Sequence, residues 1–230
     1  MSYRLQGPQE MPISKARLIL GSGSPRRREL FSRFWHDSEY EIIVPEFNEP
    51  SFIDGWQHSP DCGSLGNLAA SLANGKSEAI ANNLDGRFVI VSADTLVVSG
   101  GKILGKPDDS ASAEQMLRQL SGKKHQVITG LSLLASNNQT RRIWSDFVIT
   151  EVVFRELSAA VIHWYVSSGE PLDKAGAYGI QGLGSVLVES INGCYYNVMG
   201  LPINRLMNML QDAAFNSSEF EFICGLLPWN

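Results

Sequence analysis

The sequence predicts an α/β protein built on a mixed β-sheet, and three observations carry that expectation. In the first half, short apolar runs with strand character alternate with segments of helical spacing. In the middle, two runs rich in β-branched and aromatic residues flank Asn137-Asn138, which adds antiparallel pairing. No composition shift or Pro/Ser-rich linker divides the 230 residues into two clean domains.

Taken in order, Arg17 to Leu20 reads as a strand that breaks at Gly21-Ser22-Gly23-Ser24, and Pro25 suits the first turn of a helix. Ile42 to Val44 reads as a second strand. Pro45 to Gly63, with three prolines and two glycines, reads as a long surface loop. Leu65 to Leu84 has helical spacing. Phe88 to Val91 is a continuous apolar run, the pattern of a strand buried on both faces, and it ends at Ser92. Leu96 to Val98 and Lys102 to Leu104 flank Ser99-Gly100-Gly101 as a hairpin. Asp108 or Asp109 caps a helix carrying Ala113, Met116, Leu117 and Leu120, closed by Gly122. Val127 to Ala135 and Ile143 to Phe154 are strands. Ser158 opens a helix through Val166, Gly169 to Gly184 is a glycine-rich loop, Ser185 to Glu189 is strand-like, and Pro202 starts a helix with Ile203, Leu206, Met207 and Leu210. Phe215 to Asn230 has no clear period.

Composition excludes several classes. Cys62, Cys194 and Cys224 are widely spaced with no C-x-x-C, against a disulfide scaffold or structural zinc and in favour of a reducing cytosol. No apolar run approaches the roughly 20 residues of a membrane span, and Met1 to Pro12 lacks a signal-peptide pattern, so a cytoplasmic protein without a membrane partner is expected. With 19 Lys and Arg against 24 Asp and Glu the net charge is -5, so no global basic field holds nucleic acid and any anion recognition must be local.

Four local features could supply it. In Gly21-Ser-Gly-Ser-Pro-Arg-Arg-Arg28, exposed backbone N–H groups, a helix start and three guanidinium groups favour an anion; the alternative is a solvated basic face. Lys76 falls in the apolar stripe of Leu65, Leu68, Leu72 and Ala79, where it must be paired or reach along the core edge to water. Asp94 follows the buried strand, in position to hold a metal or activate water, or simply to cap a turn. Lys106 in its turn, and Glu46 and Glu49 in the long loop, are either partners of such a site or surface charge. In Gly169 to Gly182, four glycines bring backbone close to a ligand or build a purely structural loop, and Asp173, Lys174, Tyr178 and Gln181 offer charge, stacking and amide readout. The four histidines show no metal spacing, and no G-x-S-x-G nucleophile elbow occurs.

Together, Gly21-Ser-Gly-Ser-Pro-Arg-Arg-Arg-Glu-Leu30, Asn74-Gly-Lys76, Ser92-Ala-Asp-Thr95, Gly105-Lys-Pro107, Leu120-Ser-Gly122 through His125 to Thr129-Gly130, Asp173-Lys-Ala-Gly-Ala-Tyr-Gly-Ile-Gln-Gly182 and Asn197-Val-Met-Gly-Leu-Pro202 resemble the Maf family of nucleoside triphosphate pyrophosphatases, in that order. The resemblance spans about Leu18 to Leu210. It implies an elongated Maf-like (ITPase-like) α/β fold, with a mixed central sheet and two lobes flanking a cleft. Residues 17–213 would be the single catalytic domain, between a lead-in over 1–16 and a tail over 214–230. It further implies a house-cleaning hydrolase that converts a nucleoside triphosphate to the monophosphate and pyrophosphate with a divalent cation, Mg²⁺ or Mn²⁺, and that forms a homodimer. No stable nucleic-acid partner is expected.

Carried over residue by residue, the family's catalytic positions fall on Ser22, Lys76, Asp94 and Lys106, with Asp94 as proton acceptor. The substrate-binding positions fall on Arg26, Arg27, Thr95 and Gln181, with Arg26, Thr95 and Gln181 as the specificity positions, and the acidic loop residue falls on Glu49, which with Asp94 is expected to hold the metal. Ala-Asp-Thr95 together with Gly-Ile-Gln-Gly182 resembles the branch acting on dTTP, UTP and modified pyrimidine nucleotides. Departures are Gly21 where Ala is usual, the insertion-like segment from Phe52 to Cys62, and the tail. Two rival readings remain: a non-catalytic nucleotide or nucleic-acid binding regulator of cell division, and a phosphatase that releases orthophosphate.

Overall fold

In a computed structural model of the chain, which describes residues 16–57 and 64–229, the framework is one seven-stranded mixed sheet with helices on both faces. Its strands are β1 (Arg17–Gly21), β2 (Tyr40–Ile42), β3 (Arg87–Ser99), β4 (Lys102–Leu104), β5 (Lys124–Asn137), β6 (Arg141–Phe154) and β7 (Val188–Asn192). They lie in the order β2-β1-β3-β5-β6-β7, with β4 paired to β3. β1 is parallel to β2 and β3; every other pair is antiparallel. The helices are α1 (Pro25–Phe31), α2 (Glu49–Gln57), α3 (Leu65–Ala81), α4 (Ser110–Leu120), α5 (Ala159–Ser167), α6 (Tyr195–Val198) and α7 (Ile203–Phe215).

Side-chain alternation along β3 divides the interior. Val89, Val91 and Ala93 enter a core with Leu206 and Leu210 of α7, whereas Phe88 and Ile90 pack with Ile80 of α3 on the opposite face. Further along, Leu96 and Val98 join Leu68 and Leu72 of α3, and Val97 joins Leu117 of α4 and Tyr165 of α5. Gly130 of β5 sets the height of α3. A Cβ there would lie 2.1 Å from the Ala69 carbonyl, so only glycine admits this approach.

Four expected elements differ, the first being the second strand, which is Tyr40–Ile42 instead of Ile42 to Val44 because its pairing with β1 runs from Leu18 to Leu20. The strand expected to stop at Ser92 continues through Ser99, because β5 lies beside it and pairs residues Arg87 to Val98 without interruption. The break lies in the neighbouring strands instead. β1 pairs β3 up to Ser92 and β4 pairs it from Val97. Along that edge, among the described residues, Ala93 to Leu96 have no strand beside them.

The expected loop after Pro45 holds α2. The Asn48 side chain accepts from Ser51 N at 3.1 Å, and Pro50 stands in the first turn, where its missing N–H costs nothing. The rest of that expected loop, residues 58–63, lies outside the described residues, as does most of the expected lead-in. The last strand is Val188–Asn192 instead of Ser185 to Glu189, because Gly182–Leu187 forms 3-10 turns. The tail is built of 3-10 turns over Ser218–Leu226. Its Phe220, Ile223 and Leu226 share the core of α7, and the Trp35 indole N–H donates to the Leu226 carbonyl at 2.7 Å.

Candidate active site

The unpaired stretch of β3 opens into a cavity of about 770 Å³. β1 and the turn after it form one wall, β4 and the turn holding Lys106 another, and the glycine-rich segment from Asp173 to Gln181 the far side. All nine sequence-predicted site residues line it: Ser22, Arg26, Arg27, Glu49, Lys76, Asp94, Thr95, Lys106 and Gln181. Glu46, weighed with Glu49 from the sequence, is exposed and outside the cavity lining. Asp94 does not follow a strand end as expected. It stands in the middle of β3, just beyond the carboxyl end of β1, where Gly21 is level with Ser92.

Asp94 and Thr95 point to opposite faces because they are adjacent in a strand. On the α3 face, Asp94 is opposite Gly130 in register, and the close seating of α3 over that glycine brings Lys76 above it. The Lys76 ammonium does not run out to water. Its side chain is 10% exposed, and it donates to Asp94 Oδ1 and to Glu49 Oε1, the latter at 2.6 Å. Glu49 reaches this point because Phe47 seats on Gly75, where a Cβ would meet the ring at 2.5 Å. Two carboxylates thus converge on one buried cation, Asp94 from inside and the half-exposed Glu49 from the solvent side, and Oδ2 of Asp94 has no hydrogen-bond partner among the described residues.

On the other face, Arg27 is fixed by several partners. Nε donates to the Gly200 carbonyl at 2.8 Å, Nη2 to Thr95 Oγ1 at 3.0 Å and Nη1 to Ser22 Oγ at 3.4 Å. The chain of bonds continues from Thr95 to Thr129 at 3.0 Å and from Thr129 to the Asn197 carbonyl at 3.0 Å. Burial lowers the Arg27 pKa from its usual range, Asp94 and Glu49 draw it back up and Arg26 lowers it, and a guanidinium keeps its charge through this. Thr95 therefore holds Arg27 as well as lining the cavity. The sequence gives no sign of this, since Thr129, Asn197 and Gly200 are between 34 and 105 positions away from Thr95 in the chain.

Across the cavity, Arg26 Nη1 lies 3.5 Å from Asp173 Oδ2, and Lys174 Nζ donates to Asp173 Oδ1 at 2.6 Å. Burial opposes ionisation of Asp173, but Lys174 and then Arg26 outweigh it and hold the carboxyl below its usual pKa. Arg26, Arg27, Lys76, Lys106 and Lys174 face Glu49, Asp94 and Asp173, so the lining is net positive on a chain whose overall charge is -5. That is a local field for an anion of several charges. Among the described residues no group of three or more His, Cys, Asp or Glu side chains could hold a metal by themselves. Asp94 and Glu49 are the two carboxylates that converge at one point of the lining, hard oxygen donors that suit a cation completing its shell with waters and substrate oxygens. No helix among the described residues is long and apolar enough to cross a membrane.

The family model described as Maf-like protein matches residues 17–213. A dTTP/UTP pyrophosphatase of Clostridium botulinum (strain Kyoto / Type A2) is 42% identical over 201 residues, covering 86% of this chain and 98% of that protein. One from Clostridium novyi (strain NT) is 42% identical over 200 residues, 87% and 99% of the two chains. One from Clostridium beijerinckii is 42% identical over 196 residues, 85% and 98%.

Proposed function

The chain belongs to the Maf family, and on that premise we propose that it is a nucleoside triphosphate pyrophosphatase, a hydrolase of acid anhydrides. Its substrates would be dTTP, UTP and modified pyrimidine nucleotides, in a house-cleaning role in the cytoplasm. A homodimer is part of the same reading. The observation that carries it is the cationic cavity at the unpaired edge of β3, with a buried, oriented carboxylate inside it.

A triphosphate brings about four negative charges near neutral pH, and its hydrolysis asks a protein chiefly for positioning and electrostatic stabilisation. Arg26, Arg27 and Lys106 would hold the phosphates, and Ser22 would add a hydroxyl at the end of β1. Asp94 and Glu49 would hold a divalent cation, Mg²⁺ or Mn²⁺, which supplies charge neutralisation on the phosphate oxygens when bound. Asp94 would orient a water and take its proton as the oxygen attacks the α-phosphorus. The bond from that phosphorus to the bridging oxygen breaks, and pyrophosphate leaves with its charge on the Arg and Lys set. Lys76 keeps Asp94 and Glu49 in place. Gln181 would read the base through an amide that both donates and accepts.

The test is product analysis. Purified chain with UTP and Mg²⁺ should yield UMP and pyrophosphate in equal amounts, resolved by phosphorus NMR. Orthophosphate with UDP would replace this reading by that of a phosphatase, and nucleotide binding without turnover by that of a regulator.

A further inference from the structure

Gln181 occupies a segment whose two ends nearly touch. A Cβ on Gly184 would lie 2.1 Å from the Gly179 carbonyl oxygen and 2.8 Å from the Tyr165 hydroxyl. Beneath this closed segment are two side chains with no place in the chemistry above, Tyr165 at the end of α5 and Glu170 in the following turn. The Tyr165 hydroxyl donates to Glu170 Oε1 at 3.0 Å and accepts from Gly179 N at 3.2 Å. Glu170 Oε2 accepts from Leu183 N at 3.1 Å, and Oε1 also accepts from Gly184 N at 3.3 Å. Both ends of the segment are therefore tied to one carboxylate and one phenol, while Ile180 and Gln181 span the interval between them.

The sequence is fitted to this pair. Gly182 has φ +64, and a Cβ there would lie 3.0 Å from Glu170 Oε2; at Gly179 it would lie 2.8 Å from Lys174 Cε. Lys174 itself donates to the Glu170 backbone carbonyl at 2.5 Å. Tyr165 is fully buried, which pushes its pKa up and keeps it a donor toward Glu170. A carboxylate receiving one phenol and two backbone N–H groups makes charge-assisted bonds, the kind strong enough to fix a glycine-rich backbone that has little stiffness of its own.

We propose that Glu170 and Tyr165 are positioning residues that hold Gln181 at the base, and so set which nucleobase the site accepts. The inference rests on the nucleotide-hydrolase reading and assigns its base selectivity to groups that never touch substrate. Its logic is that an amide reads a base only if its backbone is fixed; a mobile amide adapts to either edge and discriminates little.

The experiment compares Glu170→Gln and Tyr165→Phe with the unaltered chain. It measures kcat and KM for UTP and GTP, and inhibition by inorganic pyrophosphate. In both variants the UTP-over-GTP ratio of kcat/KM should fall by roughly tenfold, mostly through KM for UTP, with pyrophosphate inhibition unchanged. Equal losses on both nucleotides, an unchanged ratio, or an unaltered chain that does not discriminate between the two would overturn the proposal. If the unaltered chain turns over no nucleotide, the hydrolase reading fails by itself. The selectivity claim is then decided by calorimetric affinities for UMP and GMP, with the same ratio expected to collapse. Circular dichroism identifies a variant that has not folded, and the other variant then decides.

Discussion

Lys76 of α3 and Asp94 of β3 form a buried ion pair between a helix and the sheet face it covers, and the pairing exists because Gly130 lets the helix settle onto the sheet. The bond fixes one oxygen of the carboxylate without consuming the other. Asp94→Asn keeps the shape and removes the proton acceptor. Turnover of UTP should fall by roughly 10³-fold, within the range for loss of a general base. Calorimetric binding of the nucleotide should change by no more than a few fold. A variant with ordinary turnover would remove Asp94 from the chemistry.

The same pair is also a stability device with an asymmetric cost. Removing the cation alone leaves Asp94 buried without its counter-charge, the expensive way to break such a pair. Lys76→Met should lower unfolding free energy by about 3 kcal/mol, and Lys76→Met with Asp94→Asn should recover part of it. A denaturant double-mutant cycle should give a coupling of about 2 kcal/mol. Additive losses would mean that the two charges are held independently.

Arg26 and Asp173 approach each other across the cavity, so Asp173 occupies a guanidinium that a phosphate would want. Arg26 is 29% and Asp173 63% exposed, so the contact is worth at most about 1 kcal/mol and is screened by salt. Asp173→Asn should therefore lower KM for UTP by up to about fivefold at low ionic strength, with the advantage fading at high salt. A raised KM would show that Asp173 helps substrate instead of competing with it.

Most of the site was legible in the sequence because its residues are short-range signals: a Gly/Ser turn before an Arg triplet, a Lys inside an apolar helical stripe, a glycine-rich loop ending in Gln181. What was not legible depended on neighbours. The extent of β3 is decided by β5, which pairs with it through the polar stretch at Ser92 to Thr95. The helix α2 begins where three prolines within a short stretch suggested a loop, because Asn48 and Pro50 meet the demands of a first turn. The tail shows no α-helical period, since its Phe220, Ile223 and Leu226 recur every three residues, the spacing by which 3-10 turns place them in the core of α7. The anchoring of Arg27 by Gly200, and of the Gln181 segment by Glu170, joins residues through the fold alone.

His125 stands behind the far wall of the cavity, against Tyr178. It lies on β5 with 3% of its surface exposed, edge-on to Phe154 and Tyr178, and its Nε2 is 2.8 Å from the Tyr178 hydroxyl. Burial drives its pKa down to about 4, outweighing the opposing effect of the Lys123 backbone. In the unfolded chain the ring titrates near 6.5, so between these values the unfolded state binds the extra proton and the native state does not. The stability associated with neutral His125 is complete above pH 6.5 and is lost as pH falls toward 4. The shift amounts to about 3 kcal/mol. Thermal unfolding of the chain should therefore weaken through this window more steeply than that of His125→Gln, which keeps a polar partner for Tyr178 and has no proton to gain. Because Tyr178 immediately precedes the Gln181 segment, KM for UTP should rise over the same pH range in the unaltered chain and less in the variant. Parallel stability curves would show that the ring is not held neutral by the fold, and that acid loss comes from carboxylates elsewhere.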